Sequence, residues 1–111
     1  MSMSKPVKLI ALLKGKPGMS RDEFGRRWVE GHAPLTMKFK NLKGYRINIA
    51  IDDYQEIEGA LPYDGTCEMW WDSLDEMRED FASSEAQTAV ADADTFTVVR
   101  THIYTEEHVL K

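Results

Sequence analysis

Residues 16–35 read KPGMSRDEFGRRWVEGHAPL, and the first half of this stretch contains the signals that start a helix. Ser20 and Glu23 have the spacing of a capping box, in which each side chain accepts a hydrogen bond from a free backbone N–H of the first turn. Met19 and Phe24 flank the box and can pack against each other across it. The stretch therefore predicts a helix that begins directly after Ser20.

The second half of the stretch predicts the end of that helix. Gly31 is a residue type that often terminates helices, and Pro34 opposes simple continuation. His32 lies between them, and its imidazole, with a usual pKa of about 6.5, can take or release a proton at neutral pH. We expect His32 to be a general base that removes a proton next to a carbonyl group. The alternative is a structural histidine that binds the free carbonyl groups of the helix end.

The same helix start occurs a second time in the chain. SLDEM at residues 73–77 repeats the pattern of SRDEF at residues 20–24, and each copy follows a strand-like run, residues 7–13 and residues 66–71. In both copies a serine cap precedes acidic residues, which suit the positive end of a helix dipole. Two strand–helix units in one short chain indicate the split βαβ duplication of a ferredoxin-like fold.

The remaining elements complete this pattern. Apolar residues alternate along a second strand, Tyr45 to Ile51, and Leu74, Met77 and Phe81 form the apolar stripe of the second helix. We also expect a short inserted helix opened by a capping box of Ser84 and Gln87, and a last strand from Thr97 to Thr105. The fold class predicted is α+β: a ferredoxin-like βαββαβ chain with a four-stranded antiparallel sheet, helices on one face, and a single domain over residues 1–111.

Composition restricts the class of protein. The chain has 111 residues, is 42% hydrophobic and 30% charged, and carries a net charge of −5. We therefore expect no nucleic-acid partner, because nucleic-acid surfaces are basic. No apolar run is long enough to cross a bilayer, so we expect no membrane partner either. With Cys67 as the single cysteine, no internal disulfide can form, which favours a cytoplasmic location.

One face of the predicted sheet has no helices to cover it. Several large apolar residues alternate along the strands and must be divided between the two faces. An exposed apolar surface of this kind typically marks an interface. We therefore predict a homodimer in which two sheets pack face to face about a two-fold axis, forming a dimeric α/β barrel.

Several blocks of the chain resemble the EthD family, named for ethyl tert-butyl ether degradation, of the dimeric α/β-barrel superfamily. They are KPGMSRDEF at 16–24, Trp28, HAPL at 32–35, LKGY at 42–45, YDG at 63–65, EMWWDSL at 68–74 and EEHV at 106–109. The resemblance implies a dimeric α/β barrel and a cofactor-free activity on small organic acids, lactones or carbonyl compounds. It implies His32 and Tyr45 as site residues. A cysteine of the isomerase-like members would fall at Met69, which weighs against a lactone-isomerase reaction.

Other residues are predicted around His32 and Tyr45. Tyr45 could donate a hydrogen bond to a developing oxyanion, or it could only place its hydroxyl at the rim of the sheet. Glu68, in an inner strand, must be paired or have a raised pKa, so it is a third catalytic candidate or half of a structural ion pair with Arg46, Arg100 or His102. The predicted substrate-binding residues are Trp28, Trp70, Arg100 and His102.

The preferred function is a cofactor-independent isomerase, cyclase or dehydratase that acts on a small, largely apolar carbonyl or ring compound. Neither the spacing of the histidines nor the single cysteine suggests a metal site, and we expect no cofactor. The alternative is a non-catalytic accessory protein of oxidative degradation, with a redox partner docked on the acidic loop from Asp52 to Glu58. A cofactor-free monooxygenase shares the implied superfamily, but no residue here argues for oxygen chemistry.

Overall fold

Four strands form one antiparallel sheet in the computed structural model, which describes residues 5–51 and 62–111. They are β1 (Val7–Gly15), β2 (Gly44–Ile49), β3 (Gly65–Trp71) and β4 (Thr97–Thr105). The order across the sheet is β2-β3-β1-β4, and all neighbouring pairs are antiparallel. This is the predicted ferredoxin-like arrangement, so the fold class is confirmed. The acidic loop from Asp52 to Glu58 lies outside the described residues.

The helices pack against one face of the sheet. They are α1 (Arg21–Arg26), a π-helical segment (Arg27–His32), α2 (Ala33–Thr36), α3 (Leu74–Phe81) and α4 (Ser84–Asp94). Along the part of the chain that is described, no helix is long and apolar enough to cross a membrane.

Two of the three predicted helix caps are confirmed. Ser20 Oγ accepts a hydrogen bond from the Glu23 N–H, and Ser73 Oγ accepts one from the Glu76 N–H, both at 3.1 Å. The cap predicted at Ser84 is wrong. Ser83 has the extended backbone of a cap residue and accepts a hydrogen bond from the Ala86 N–H at 3.2 Å, so α4 begins one residue earlier than the sequence suggested.

The predicted helix end at Gly31 is also wrong. The chain continues from α1 through the π-helical segment into α2, and the N–H of Ala33 bonds to the carbonyl of Trp28, five residues back. Pro34 lies at the start of α2, directly after the π-helical segment, and the helix continues through it to Thr36. Gly31 has another role, because a Cβ atom at this position would lie 2.7 Å from Nη1 of Arg27. The glycine leaves room for the Arg27 side chain to pass.

The core lies between the helices and the alternate residues of the strands. Leu9, Ala11 and Leu13 of β1 and Cys67, Met69 and Trp71 of β3 are buried on this face. Phe24 and Trp28 cover them from the helix side, with their ring centroids 5.4 Å apart. The indole Nε1 of Trp71 donates to Oδ2 of the buried Asp80 at 2.7 Å, which ties α3 to the sheet.

The opposite face of the sheet is less apolar than the sequence predicted. Ile103 is 51% exposed there, but the charged pair of Lys8 and Glu68, 2.7 Å apart, lies on the same face. The ring of Trp70 lies within 5.3 Å of the Lys8 ammonium and 5.4 Å of the Arg46 guanidinium. Lys8 also pairs with Glu107 of the C-terminal segment. The open face therefore carries an apolar strip around Ile103 and, next to it, a charged cluster of Lys8 and Glu68.

Candidate functional site

His32 ends the π-helical segment and is buried, with 8% of its surface exposed. Nδ1 of the imidazole lies 2.9 Å from Oδ2 of Asp92 in α4. A carboxylate only accepts hydrogen bonds, so this contact places the proton of a neutral His32 on Nδ1 and leaves the lone pair on Nε2. Among the described residues, Nε2 has only a long contact, 3.4 Å, with Oγ1 of Thr36. A basic nitrogen is therefore available to meet a ligand.

Asp92 is held in turn by Arg27. Nη1 of Arg27 donates to Oδ2 of Asp92 at 3.1 Å and Nη2 donates to Oδ1 at 2.6 Å, which is a bidentate ion pair. Thr95 accepts a further hydrogen bond from Nη2 at 3.0 Å. Arg27 holds the pKa of Asp92 below its usual value of 3.8, so the carboxylate stays ionised at neutral pH. Arg27 can reach α4 because Gly31 carries no side chain in its path.

The surroundings keep His32 neutral. Loss of hydration on burial is the largest effect on its pKa and lowers it from 6.5, and the positive charges of Arg27 and Arg100 act in the same direction. The hydrogen bond and the negative charge of Asp92 oppose this shift without cancelling it. A neutral imidazole of fixed tautomer is the protonation state that a general base needs.

A cavity of about 70 Å³ lies between the sheet and the helices, and His32 is part of its wall. Apolar side chains from the core make up most of the lining, including Leu9, Leu13, Phe39 and Met69. The exposed residues Val90 and His102 are also part of the lining, so the cavity reaches the surface beside β4. Of the seven site residues predicted from the sequence, five line this cavity: Trp28, His32, Tyr45, Arg100 and His102.

Tyr45 lies on β2 and faces the same cavity as His32. Burial raises the pKa of its hydroxyl to about 12, and the neighbouring Cys67 adds to this shift. Polar contacts with Thr36 and Trp28 act in the opposite direction with smaller effect. The hydroxyl therefore keeps its proton at neutral pH and is available as a hydrogen-bond donor. Thr36, whose Oγ1 contacts His32, lines the same cavity.

Arg100 and His102 approach the cavity from the sheet edge. They lie two residues apart on β4, opposite Leu13 and Ala11 of β1, and so share the face that the helices cover. Nη2 of Arg100 contacts Oδ1 of Asp94 at 2.7 Å. Partial loss of hydration, and then the charge of Arg100, lower the pKa of His102 below 6.5.

Glu68 and Trp70 do not lie with His32, so their predicted placement at one site is wrong. Both belong to β3, where Cys67, Met69 and Trp71 face the helices; strand alternation therefore directs Glu68 and Trp70 to the open face. Glu68 is paired with Lys8 at 2.7 Å and accepts a hydrogen bond from Asn48 at 3.2 Å. These contacts lower the pKa of Glu68 below 4.5, with the Lys8 hydrogen bond as the largest cause. The alternative of a structural ion pair therefore fits Glu68, but the bonded partner is Lys8 and not Arg46, Arg100 or His102.

Sequence reasoning missed Asp92, Arg27 and Thr36. Thr36 lies four residues after His32, on the same side of a helix, and this spacing is a signal that could have indicated the contact. Asp92 is one of several acidic residues near a helix end and lies 60 positions from His32 in sequence. Nothing local distinguishes it, because only the packing of α4 against the π-helical segment brings the two side chains together. Within residues 5–51 and 62–111, no group of three His, Cys, Asp or Glu side chains is arranged to hold a metal ion.

Comparison with known proteins identifies the family. The EthD domain model matches residues 16–99, and the chain therefore belongs to the EthD family. The fold is similar to that of an EthD family protein from Bacillus halodurans, with 26% identity, a TM-score of 0.77, and coverage of 93% of this chain and 99% of that one. A comparison with curated proteins gave no match.

Two more distant structures share the fold. One is a dimeric ferredoxin-like protein of unknown function from Thermobifida fusca, at 16% identity and a TM-score of 0.73, covering 96% of this chain and 95% of that one. The other is SnoaB, a cofactor-independent oxygenase from Streptomyces nogalater, at 11% identity and a TM-score of 0.68, covering 96% of this chain and 98% of that one. At these identities the likeness concerns the fold alone.

Proposed function

We propose that this protein is a cofactor-independent enzyme that moves a proton within a small, partly apolar carbonyl compound. His32 is the general base, and Tyr45 is the hydrogen-bond donor to the carbonyl oxygen. Trp28 and the apolar core side chains enclose the body of the substrate. The observation that carries this proposal is the buried His32, whose Nδ1 binds Asp92 while Nε2 remains available beside the cavity.

The proposed step is the formation of an enolate. Nε2 of His32 takes the proton from the carbon next to the carbonyl group, the C–H electrons form a C=C bond, the carbonyl π electrons move onto the oxygen, and Tyr45 donates a hydrogen bond to that oxygen. His32 then returns the proton to another atom of the substrate, which completes an isomerisation, or to a leaving hydroxyl in a dehydration. Asp92 stabilises the imidazolium that exists between the two transfers.

Proton exchange in D₂O tests this proposal before the natural substrate is known. The protein is incubated with small ketones, keto acids and unsaturated lactones, and loss of the proton signal next to each carbonyl group is followed by NMR. We expect catalysed exchange with at least one compound, and a loss of about a hundredfold or more in the His32→Gln variant. His108→Gln is the matched control, because that side chain is 73% exposed and lies outside the cavity.

Two outcomes would contradict the proposal. Equal exchange rates for the wild type and His32→Gln would exclude His32 as the base. Saturable binding of the compounds without any exchange would favour the accessory function, in which the cavity only recognises a ligand.

We further propose that two copies associate through the open face of the sheet. Ile103 and Val99 are 51% and 39% exposed, and Ile10 and Leu12 are half-buried beside them. The fold of a dimeric protein from Thermobifida fusca is similar over nearly the whole chain. Because the His32 cavity opens on the helix side, the association leaves it accessible.

A further inference from the structure

The described lining of the His32 cavity contains no carboxylate. Its polar side chains are His32, Thr36, Tyr45, Arg100 and His102, and none of the lining residues is Asp or Glu. Arginine remains protonated at all physiological pH values, whereas both histidines have lowered pKa values. Arg100 is therefore the one permanent charge among these lining residues, and it is positive.

The guanidinium group of Arg100 has N–H donors that its contacts with Thr97 and Asp94 do not use. Nη1 donates to Oγ1 of Thr97 at 3.0 Å, and Nη2 contacts Oδ1 of Asp94 at 2.7 Å. These contacts use two of the five N–H donors of the guanidinium group. The Arg100 side chain is 25% exposed and that of Asp94 is 64% exposed, so the pair is well solvated on the Asp94 side. Because the Asp94 carboxylate is mostly exposed, another carboxylate can take its place on Arg100 at small cost.

His102 adds a second polar group beside Arg100. Both residues line the cavity, and strand alternation places them on the same face of β4. Together they form a polar end of the cavity at the sheet edge, whereas Leu9, Leu13 and Met69 form an apolar wall further in. A ligand that fits this lining has one anionic end and an apolar body.

We infer that the substrate is a small organic acid whose carboxylate binds Arg100 and His102 while its carbonyl group reaches His32 and Tyr45. This inference rests on the proposed function, because it names the substrate class for the same cavity. Arg100 offers the planar pair of donors that a carboxylate accepts, and the incoming carboxylate takes the place of Asp94. The positive charge also stabilises the negative charge that develops on the enolate.

Binding of propionate and propionamide tests the inference, because the two molecules have the same shape and differ in charge. Titrations are followed by the backbone amide signals of Arg100 and His102 in NMR spectra. We expect saturable shifts with propionate and at least about tenfold weaker binding of propionamide, the size expected for losing a charge-assisted hydrogen bond. Equal affinity for the two compounds would overturn the inference.

Two variants test the residues. Arg100→Gln should weaken propionate binding by about tenfold or more, whereas Arg78→Gln, whose side chain is 69% exposed on α3, should leave it unchanged. Asp94→Asn removes the resident carboxylate and should tighten propionate binding by at least about twofold. Unchanged affinity in either Arg100→Gln or Asp94→Asn contradicts the exchange of carboxylates at Arg100.

The same titration separates this inference from the proposed function. The His32→Gln variant should still bind propionate, because the proposed carboxylate contacts are made by Arg100 and His102 and not by His32. If neutral ketones exchange protons through His32 but propionate does not bind, the organic-acid inference fails and the proposed function stands. If propionate binds at Arg100 while exchange is the same in wild type and His32→Gln, the proposed function fails instead.

Discussion

At the scale of single residues, Asp92, Arg27 and Gly31 together determine the state of one imidazole. Asp92 fixes the tautomer of His32, Arg27 fixes Asp92, and Gly31 leaves the space through which Arg27 reaches α4. Asp92 raises the pKa of His32 and Arg27 lowers it. Variants of these positions should therefore move the pKa of His32 in opposite directions.

Asp92→Asn should lower the pKa of His32 further and reduce proton exchange. The amide carries no charge to stabilise an imidazolium, and it can present either a donor or an acceptor to Nδ1, so the tautomer is no longer fixed. NMR titration of the imidazole signals measures the pKa, and the D₂O assay measures exchange. An unchanged or higher pKa would show that Asp92 does not act on His32 in solution.

Gly31→Ala should raise the pKa of His32 while changing the free energy of unfolding by no more than about 1 kcal/mol. The new Cβ meets only the flexible end of Arg27, and a helical Gly-to-Ala change is itself favourable. Arg27 must then move, which leaves the negative charge of Asp92 less compensated. Gly25→Ala is the matched control, because its Cβ would meet Ile49 at an ordinary 3.5 Å.

The stability of the protein should fall when the pH drops from about 7.5 to about 5.5. The pKa of His32 in the folded protein lies below the unfolded value of 6.5, so the unfolded chain takes up a proton first and is favoured as the pH falls. The contribution of His32 is fully present above pH 6.5 and is lost towards its folded pKa. His102, with the same direction of shift, adds to the loss. Urea unfolding at both pH values should show a smaller loss for His32→Gln, and an equal loss would refute the assignment.

At the scale of the elements, the packing of α3 depends on one buried carboxylate. Asp80 is 2% exposed and accepts hydrogen bonds from Nε1 of Trp71 and from the backbone N–H of Asn41. It thereby joins α3, β3 and the connection that leads to β2. Loss of this group leaves the buried indole N–H of Trp71 and the partly buried N–H of Asn41 without an acceptor, which is costly.

Asp80→Ala should lower the free energy of unfolding by about 2–4 kcal/mol, since the buried Trp71 donor and the partly buried Asn41 donor both lose their partner. Glu79→Ala in the same helix should change it by less than about 1 kcal/mol, because Glu79 is 59% exposed and pairs with the exposed Lys40. Chemical denaturation monitored by tryptophan fluorescence measures both. Similar values for the two variants would contradict the structural role of Asp80.

The sequence predicts an element well where its signal is local. Ser20 and Ser73 cap their helices through contacts three residues apart, and alternation along the strands identifies their two faces. The helix end predicted at Gly31 was wrong because the glycine instead leaves room for the Arg27 side chain. That side chain binds Asp92 of α4, and the local sequence does not show this contact. Glu68 was assigned to the wrong face of the sheet. Alternation shows which residues of a strand share a face, but it does not show which of the two faces the helices cover. The partners of His32 are brought to it by tertiary packing. The sequence therefore predicted a titratable imidazole at this position but not the residues that bind it.

At the scale of the whole molecule, the two faces of the sheet have separate roles. The helix side holds the cavity, and the open side holds the apolar strip around Ile103 with the charged cluster of Lys8 and Glu68 next to it. A charged substitution on the open side should therefore affect association without changing the cavity.

Ile103→Glu should convert a dimer into a monomer, because a two-fold interface brings each new carboxylate into an apolar contact with the partner. Leu74→Glu, at a residue that is 40% exposed on α3, should leave the dimer intact. Light scattering coupled to gel filtration gives the molar mass of each. A wild-type protein that is monomeric at the concentrations used would refute the proposed association.

The π-helical segment also makes the proposed proton transfer depend on the number of residues between Arg27 and His32. Each residue of an α-helix turns the backbone by about 100°, and a π-helical turn accommodates one extra residue within an otherwise continuous helix. Loss of a single codon between Arg27 and His32 would restore a regular helix. The deletion would not touch the strands of the β-sheet. The imidazole would then point in another direction and part from Asp92. A relative with such a deletion would keep this architecture and be expected to lack the proposed proton transfer, so a deletion of one residue would be enough to turn the proposed enzyme into a binding protein.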